Sequence, residues 1–496
     1  MPMDLSTRVR ETLASRPSED AIAFAGTWRS WGWASAAAGE IAHLLRAAGV
    51  ERGERVALVT RNRPQHAAAV AALIANQQTA VMIYSAQSPT GIAADIVRLG
   101  VKAVIADRED WTPQTLAAAR EAGAAGIVIE DAHDRAAYAA PGLERCSGES
   151  FAPPQPEIAF ELLSSGTTGA PKRTSLSWQA ASQAVADAAA VYASGSGSRE
   201  APAIVVHPIG NVSGITFLVP PLVHGQSIVL LEKFKLDEWV AAIERYKPTR
   251  VSIPPIAIGM VLDANIPRSA LASLKVVGVG GGKLDVDQQI RFEEVFGIPI
   301  LPGFGATEFG GVIANWSLDL HRAFGASKRG SVGRARTGVN LRIIDSETGA
   351  VAAPGAIGLL EAQVSRIGSD FIRTTDLASL DEDGFLFLHG RADQAINRGG
   401  FKVLPESVSA VLRTHPDVAD AVVIGMPDAR LGEAPVAAIE VMLGANLTVD
   451  ALNAFAREHL LAYQAPTRFL IMPHLPRTET MKPSLPDIRR LFEEQA

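Results

Sequence analysis

The sequence predicts an α/β protein: a large N-terminal domain of α/β subdomains with a β-rich subdomain, followed by a small C-terminal α+β domain. Three observations carry this. Helical and strand signals alternate along the first part of the chain, which is the pattern of helices on a largely parallel sheet. From about residue 325 the texture changes to short β-rich runs separated by Gly, Pro and Asp. Near residue 394 helix and strand signals mix again over roughly 100 residues, the size of a separate domain.

Each element has a local reason. Residues 35–49, SAAAGEIAHLLRAAG, space their apolar positions helically and end at Gly. RVALVTRN then reads as a short buried strand, and HAAAVAALIAN returns to helix. The longest apolar stretch, 201–231, is interrupted by His207, Pro208, Asn211, Pro220, Pro221 and His224, so it predicts buried strands and turns rather than a membrane span. GSVGRARTGVNLRIIDSETGAVAAPGAIGLLEAQV predicts hairpins, as does LDEDGFLFLHGRADQAINRGG. Beyond it Pro405 opens a helix, VADAVVIGM and PVAAIEVML are strands, Thr448 caps DALNAFAREHLL, and DIRRLFEEQ is a closing helix.

Composition removes several function classes. With 496 residues, 47% hydrophobic and 20% charged, the chain is large enough for more than one core. A formal charge of -7, without any Lys/Arg block, lacks the basic excess that a nucleic-acid partner demands. Cys146 is the only cysteine, so no disulfide framework or Cys-based metal site forms within one chain, and a reducing compartment fits. The charged N-terminus has no apolar core of the signal-peptide kind; the expected location is the cytoplasm. Nothing in the chain fixes an oligomeric state.

The densest chemical signal is SSGTTGAPK at 164–172, directly after the apolar run IAFELL. Ser164, Ser165, Gly166, Thr167, Thr168 and Gly169 offer hydroxyl donors and unencumbered backbone N–H groups, and Lys172 adds a cation, which together suit a polyphosphate. The spacing is not that of a Walker loop, because no Ser or Thr follows the Lys. On composition alone such a run is more often a flexible surface loop.

The full nonapeptide resembles the phosphate-binding motif of the ANL superfamily of adenylate-forming enzymes, which includes acyl-CoA synthetases, adenylation domains of peptide synthetases, luciferases and amide bond synthetases. The similarity runs in order along nearly the whole chain. GGGKL, with Gly281, Gly282 and Lys283, precedes GFGATE, which looks like the family's aromatic-Gly-x-Thr-Glu motif. The resemblance implies that Phe304 stacks on the purine, Thr307 donates to the α-phosphate and Glu308 holds Mg²⁺. Taken alone, Phe304 is more often a core residue and Glu308 a solvated surface acid.

TTDLASLDEDGFLFLHGR supplies Asp376 and Arg391, which match the family's ribose-binding Asp and the Arg reaching the ribose or phosphate. Asp381 and Asp383 read as turn residues only. Asp393 falls at the family's hinge, so the resemblance implies an AMP-binding domain over 1–392, a mobile small domain over 393–496, and a hinge at 391–394. Lys482, in LPRTETMKPS, stands at the family's catalytic lysine, where a cation meets the charge that grows as a carboxylate attacks the α-phosphate.

Some positions depart from the family. Thr374, Thr375 and Asp376 replace the common Thr-Gly-Asp, Met481 stands where Gly precedes the lysine, and Ser407 and Ser409 replace acidic residues. In the family the turn INRGGFKVLP, ending at Pro405, forms the thioesterification site. Its altered neighbourhood leaves the acceptor open between coenzyme A and an amine. HPIGNVSGI, with His207, Asn211, Val212, Ser213 and Gly214, lies where the family lines its acid pocket. It has no Asp to pair with an α-ammonium, and an unpaired buried cation is costly, so the expected acid is neutral, aliphatic or aryl. Pro254, Pro255, Ile256 and Ala306 are further wall candidates, equally readable as core; His207 is equally a hydrogen-bonded strand-end group.

The expectation is therefore a ligase that uses ATP and Mg²⁺ to convert a small carboxylic acid to acyl-AMP and passes the acyl group to a thiol, most simply coenzyme A, or to an amine. A non-catalytic nucleotide or acyl binder is disfavoured by the joint presence of Lys172, Thr307, Glu308, Asp376, Arg391 and Lys482.

Overall fold

A computed structural model describes residues 4–132, 135–148, 151–163, 173–192, 201–346, 348–398, 401–428 and 430–495. The fold is mixed α/β, with a large N-terminal and a small C-terminal domain as expected. By internal contacts the chain divides into two compact units, one built on residues up to 313 and the other on 314–496.

In the first unit a seven-stranded sheet runs in the order Ala137–Ala139, Ala125–Ile129, Ala103–Asp107, Arg55–Thr60, Thr79–Tyr84, Ile158–Leu163, Arg173–Ser177. Its centre is parallel and both edges are antiparallel. The two-residue period of a strand divides the core: Val56 and Leu58 join one apolar cluster, Ala57 and Val59 the other. The helix Pro64–Ala75 is buried along all twelve residues, which its alanines allow because they let neighbours approach from every side. A second sheet orders Ala203–Val205, Ile228–Leu230, Asp20–Phe24 and Thr27–Ser30. Three parallel strands, Arg250–Ile253, Val276–Val279 and Ile300–Ala306, lie side by side.

One expectation needs correction. Within 201–231 only the ends are strands; the middle is the helix Val212–His224. Two adjacent prolines argue against a helix interior because each removes an N–H and crowds the preceding turn. Here Pro220 and Pro221 fall in its last five residues, Asn211 caps the start, and Gly225 ends it in the left-handed conformation, its N–H reaching the Pro221 carbonyl. Among the described residues no helix is long and apolar enough to cross a membrane.

The second unit holds the hairpin region read from the sequence. Its antiparallel sheet orders Ser331–Ala335, Phe385–Arg391, Phe371–Leu380, Gly358–Val364 and Val339–Ile344. Farther along, Val418–Asp428 and Gly432–Val441 form a long antiparallel pair, with Phe469–Met472 parallel to the latter. Val423 and Ala421 face one cluster with the helices Pro405–Leu412 and Val449–His459, while Val422 and Ile424 face another with Ile488 and Phe492 of the helix Leu485–Glu494. Thr448 caps its helix as expected, accepting from the Ala451 N–H at 3.2 Å.

Candidate active site

In the first unit the strands Ile158–Leu163 and Arg173–Ser177 pair up to Leu163 opposite Arg173. The nonapeptide 164–172 connects them and lies outside the described residues, as do Ser164, Ser165, Gly166, Thr167, Thr168, Gly169 and Lys172. Its flanks are firmly tied. Arg55 donates to both oxygens of buried Glu161 at 2.6 and 2.7 Å, a bidentate pair in the strand that enters the nonapeptide. Arg173 donates to the Met82 carbonyl at 2.8 Å and pairs with Asp95 at 3.4 Å. The Tyr84 hydroxyl donates to the Leu163 carbonyl at 3.1 Å.

The strands Val276–Val279 and Ile300–Ala306 are parallel neighbours, so the segments that follow them emerge at the same edge, where ligands commonly bind in such sheets. Exposed Gly281, Gly282 and Lys283 follow the first strand. The second carries half-buried Phe304 and Ala306 and runs into a 3-10 turn, Thr307–Phe309, where Thr307 is buried and Glu308 exposed. A Cβ at Gly305 would stand 2.3 Å from the Gly311 carbonyl oxygen, so this turn admits only Gly there. Among the described residues no group of three or more His, Cys, Asp or Glu gathers to hold an ion. Exposed Glu308 offers carboxylate oxygens, hard donors of the kind that suit Mg²⁺, an ion that takes most of its other ligands from phosphate and water.

The acid-pocket candidates surround the start of the helix Val212–His224. Asn211 is buried and its Oδ1 accepts from the Gly214 N–H at 2.8 Å, so it has a capping task the sequence did not disclose. His207 is buried, stacks on Phe217 at 4.8 Å, and shares a 3.2 Å hydrogen bond with the Ser252 hydroxyl. Burial pushes its pKa down to about 4, which makes it neutral at pH 7. Val212, Ser213, Pro254, Pro255 and Ile256 are half-buried, with Pro255 opening the helix Pro255–Asp263. Sequence reasoning missed Asn62. Its amide donates to the carbonyls of His207 at 2.9 Å and Leu231 at 3.1 Å and accepts from the Ile209 N–H at 2.9 Å, tying three strand ends together. The only available signal was an Asn two residues past a buried strand.

In the second unit Asp376 and Arg391 are direct cross-strand partners. The pairing slips between Leu377 and Ala378, opposite Gly390 at φ +116°, a bulge of the kind that re-aims side chains near functional sites. Arg391 donates through Nε and Nη2 to the two oxygens of Asp393 at 2.9 and 2.7 Å. The guanidinium holds the Asp393 carboxyl below the usual range. Half-buried Lys482 has a pKa lowered by burial and by the charge of Arg391, against the opposing pull of Asp376. The four residues Lys482, Asp376, Arg391 and Asp393, spread over about a hundred positions of sequence, thus belong to one electrostatic neighbourhood. Met481 adopts φ +62°, the left-handed region in which glycine is at home.

Residues 9–363 match the family model described as AMP-binding enzyme, and 407–482 match that of the AMP-binding enzyme C-terminal domain. The chain is 29% identical over 383 residues to 4-coumarate–CoA ligase-like 5 of Oryza sativa subsp. japonica, covering 75% of this chain and 68% of that one. It is 30% identical to a long-chain-fatty-acid–CoA ligase of Bacillus subtilis, over 69% of this chain and 62% of the relative. The matches thus span about two thirds of these relatives' length. The ATP-bound crystal structure of MatB from Rhodopseudomonas palustris shares the fold over the whole of both chains, with TM-score 0.83 at 22% identity.

Fold and matched regions together define an adenylate-forming ligase. The chain belongs to the AMP-binding enzyme family, within the ANL superfamily.

Proposed function

We propose that this protein activates a neutral carboxylic acid, aliphatic or aryl, as its acyl-AMP and transfers the acyl group to the thiol of coenzyme A in the cytoplasm. The observation that carries the reading is that Lys482 feels the charges of both Asp376 and Arg391, the cross-strand pair that matches the family's ribose contacts. The CoA-ligase names of the relatives support the thiol acceptor.

In the first step a carboxylate oxygen of the acid attacks the α-phosphorus of ATP, the bond to the bridging α–β oxygen breaks, and pyrophosphate leaves. Two anions approach each other, so Lys482 lowers the barrier by meeting the charge on the phosphoryl oxygens. Thr307 donates to the α-phosphate, Asp376 accepts from the ribose hydroxyls, Phe304 lies on the purine, and the 164–172 segment with Lys172 and the 281–283 segment hold the nucleotide and its phosphates. Glu308 would hold Mg²⁺, which supplies further neutralisation of the polyphosphate. In the second step the thiol sulfur attacks the acyl carbonyl, loses its proton, and AMP departs with the C–O electron pair. We place the boundary between the AMP-binding domain and the small domain at 392/393, with Asp393 as its hinge and the turn ending at Pro405 serving the second step.

Pyrophosphate release measured across aliphatic and aryl acids tests the first step, and mass spectrometry with coenzyme A or simple amines tests the second. Acyl-CoA is the expected product. Consumption of acyl-AMP by an amine but not by coenzyme A would replace the thioester reading by an amide-forming one. ATP binding without pyrophosphate release for any acid would leave only a nucleotide-binding protein.

A further inference from the structure

The loop that carries Lys482 is tied to the neighbouring strands through the side chain of Arg477. Arg477 lies at its base, forming an antiparallel bridge with Pro483. Inside the loop the Thr478 N–H donates to the Lys482 carbonyl at 2.8 Å and the Met481 N–H to the Thr478 carbonyl at 2.9 Å. The Arg477 side chain does not face solvent. Its Nη2 donates to Asp420 at 2.8 Å and to Glu440 at 2.9 Å, while Nη1 reaches the Met481 carbonyl at 3.4 Å, one peptide before the lysine.

Asp420 and Glu440 are directly opposite each other on the strands Val418–Asp428 and Gly432–Val441. Two carboxylates facing across an antiparallel pair repel, so this sheet needs a cation between them. Arg413 pairs with the other oxygen of Asp420 at 2.9 Å and with Glu406 at 2.9 Å. The side chains of Arg477, Asp420 and Glu440 are 14%, 15% and 17% exposed, which leaves little water to replace a lost partner.

We propose that Arg477 is a positioning residue for adenylation: plugged into the Asp420–Glu440 socket, it fixes the carbonyl of Met481 and through it the place of the Lys482 ammonium. The inference rests on the reading of Lys482 as the adenylation lysine. Attack on phosphorus is sensitive to placement, and an error of about 1 Å from a residue outside the chemistry costs roughly a hundredfold. A guanidinium can hold two carboxylates and a carbonyl at once, and an ammonium fills that fork poorly.

The test compares Arg477→Met, Arg477→Lys, Lys482→Ala and the double variant Arg477→Met/Lys482→Ala in the full chain. Two rates are followed, pyrophosphate release from acid and ATP, and consumption of supplied acyl-AMP by coenzyme A. Arg477→Met is expected to lower kcat for pyrophosphate release roughly ten- to a hundredfold while leaving the second rate within about threefold. Arg477→Lys should recover part of the loss, and the double variant should be no slower than Lys482→Ala, because a misplaced group that is already absent cannot be lost again. Should Arg477→Met fail to fold by circular dichroism, Asp420→Asn/Glu440→Gln empties the socket of charge while keeping its shape, and the same split between the two rates is expected. Unchanged pyrophosphate release in the variants that fold, equal loss in both steps, or additive losses in the double variant would overturn the role of Arg477. If Lys482→Ala itself leaves pyrophosphate release intact, the lysine's assignment falls, and the positioning role with it; if only Lys482→Ala matters, the positioning role alone falls.

Discussion

Arg391 gives the Nε–Nη2 edge of its guanidinium to the two oxygens of Asp393, two residues away, at 2.9 and 2.7 Å. That edge is not available in the same orientation to a ribose or phosphate, so on the role proposed for Arg391 the Asp393 carboxylate competes with the nucleotide for it. Asp393→Asn is therefore expected to leave KM for ATP unchanged or lower it severalfold, whereas Arg391→Met raises it. Steady-state pyrophosphate release with varied ATP measures both. A rise in KM of similar size in both variants would show that Asp393 aims Arg391 at the nucleotide instead. Because the Arg391 guanidinium keeps the Asp393 carboxyl below its usual range, the pair is present above that range and lost only as pH falls through the lowered value.

The Lys482 ammonium is destabilised first by burial and then by Arg391, so its pKa lies below that of an ordinary lysine. Between the lowered value and the ordinary one, near 10.4, the unfolded chain binds more protons than the folded chain, and stability rises with pH across that window. On the role proposed for Lys482 catalysis has the opposite sign, because adenylation would use the charged form. The alkaline limb of kcat/KM for pyrophosphate release should begin below the ordinary lysine range. The limb of kcat should lie higher, since bound polyphosphate favours the cation. Coincident limbs at the ordinary lysine value would remove the perturbation from the mechanism.

Met481 holds φ +62° in the tight turn before Lys482, where a side chain costs about 1 to 2 kcal/mol relative to its ordinary conformations. Met481→Gly removes that strain but loosens the unfolded chain by about 0.5 to 1 kcal/mol, so its unfolding midpoint should match or modestly exceed that of the unaltered chain. Met481→Ile should lower the midpoint, because a branched Cβ is worst in this region. Urea unfolding followed by circular dichroism ranks the three. Equal midpoints for Gly and Ile would mean that the turn opens without cost.

Local pattern carried much of this fold. The alanine-rich run around residue 70 is legible as a helix, Thr448 as the cap of the helix that follows it, and the run beginning LDEDGFLFLHGR as hairpin, because the forces that shape them act between residues a few positions apart. The helix Val212–His224 was not legible, since prolines in its last five residues look the same in sequence as prolines that forbid a helix. The socket of Arg477 was hidden for a different reason: its carboxylates lie 57 and 37 residues upstream, and only the register of two strands brings them opposite each other. Asn62 likewise acquires its three partners from segments far along the chain.

Asn211 has one shown task and one proposed, and a single substitution separates them. Its Oδ1 caps the helix at Gly214, whose lack of a side chain is required, since a Cβ there would stand 1.9 Å from the Pro208 carbonyl oxygen. Asn211→Ala loses the cap and should cost about 1 kcal/mol of stability. Asn211→Asp caps equally well and adds an anion favoured by the helix N-terminus, so stability should be retained. If the side chain also lines the acid pocket, the new carboxylate repels the substrate carboxylate, KM for neutral acids rises about tenfold or more, and α-amino acids gain pyrophosphate release because their ammonium finds a partner. Unaltered kinetics in Asn211→Asp, with stability lost only in Asn211→Ala, would confine Asn211 to the cap and move the wall of the acid pocket to Val212, Ser213 and the segment that opens the helix Pro255–Asp263.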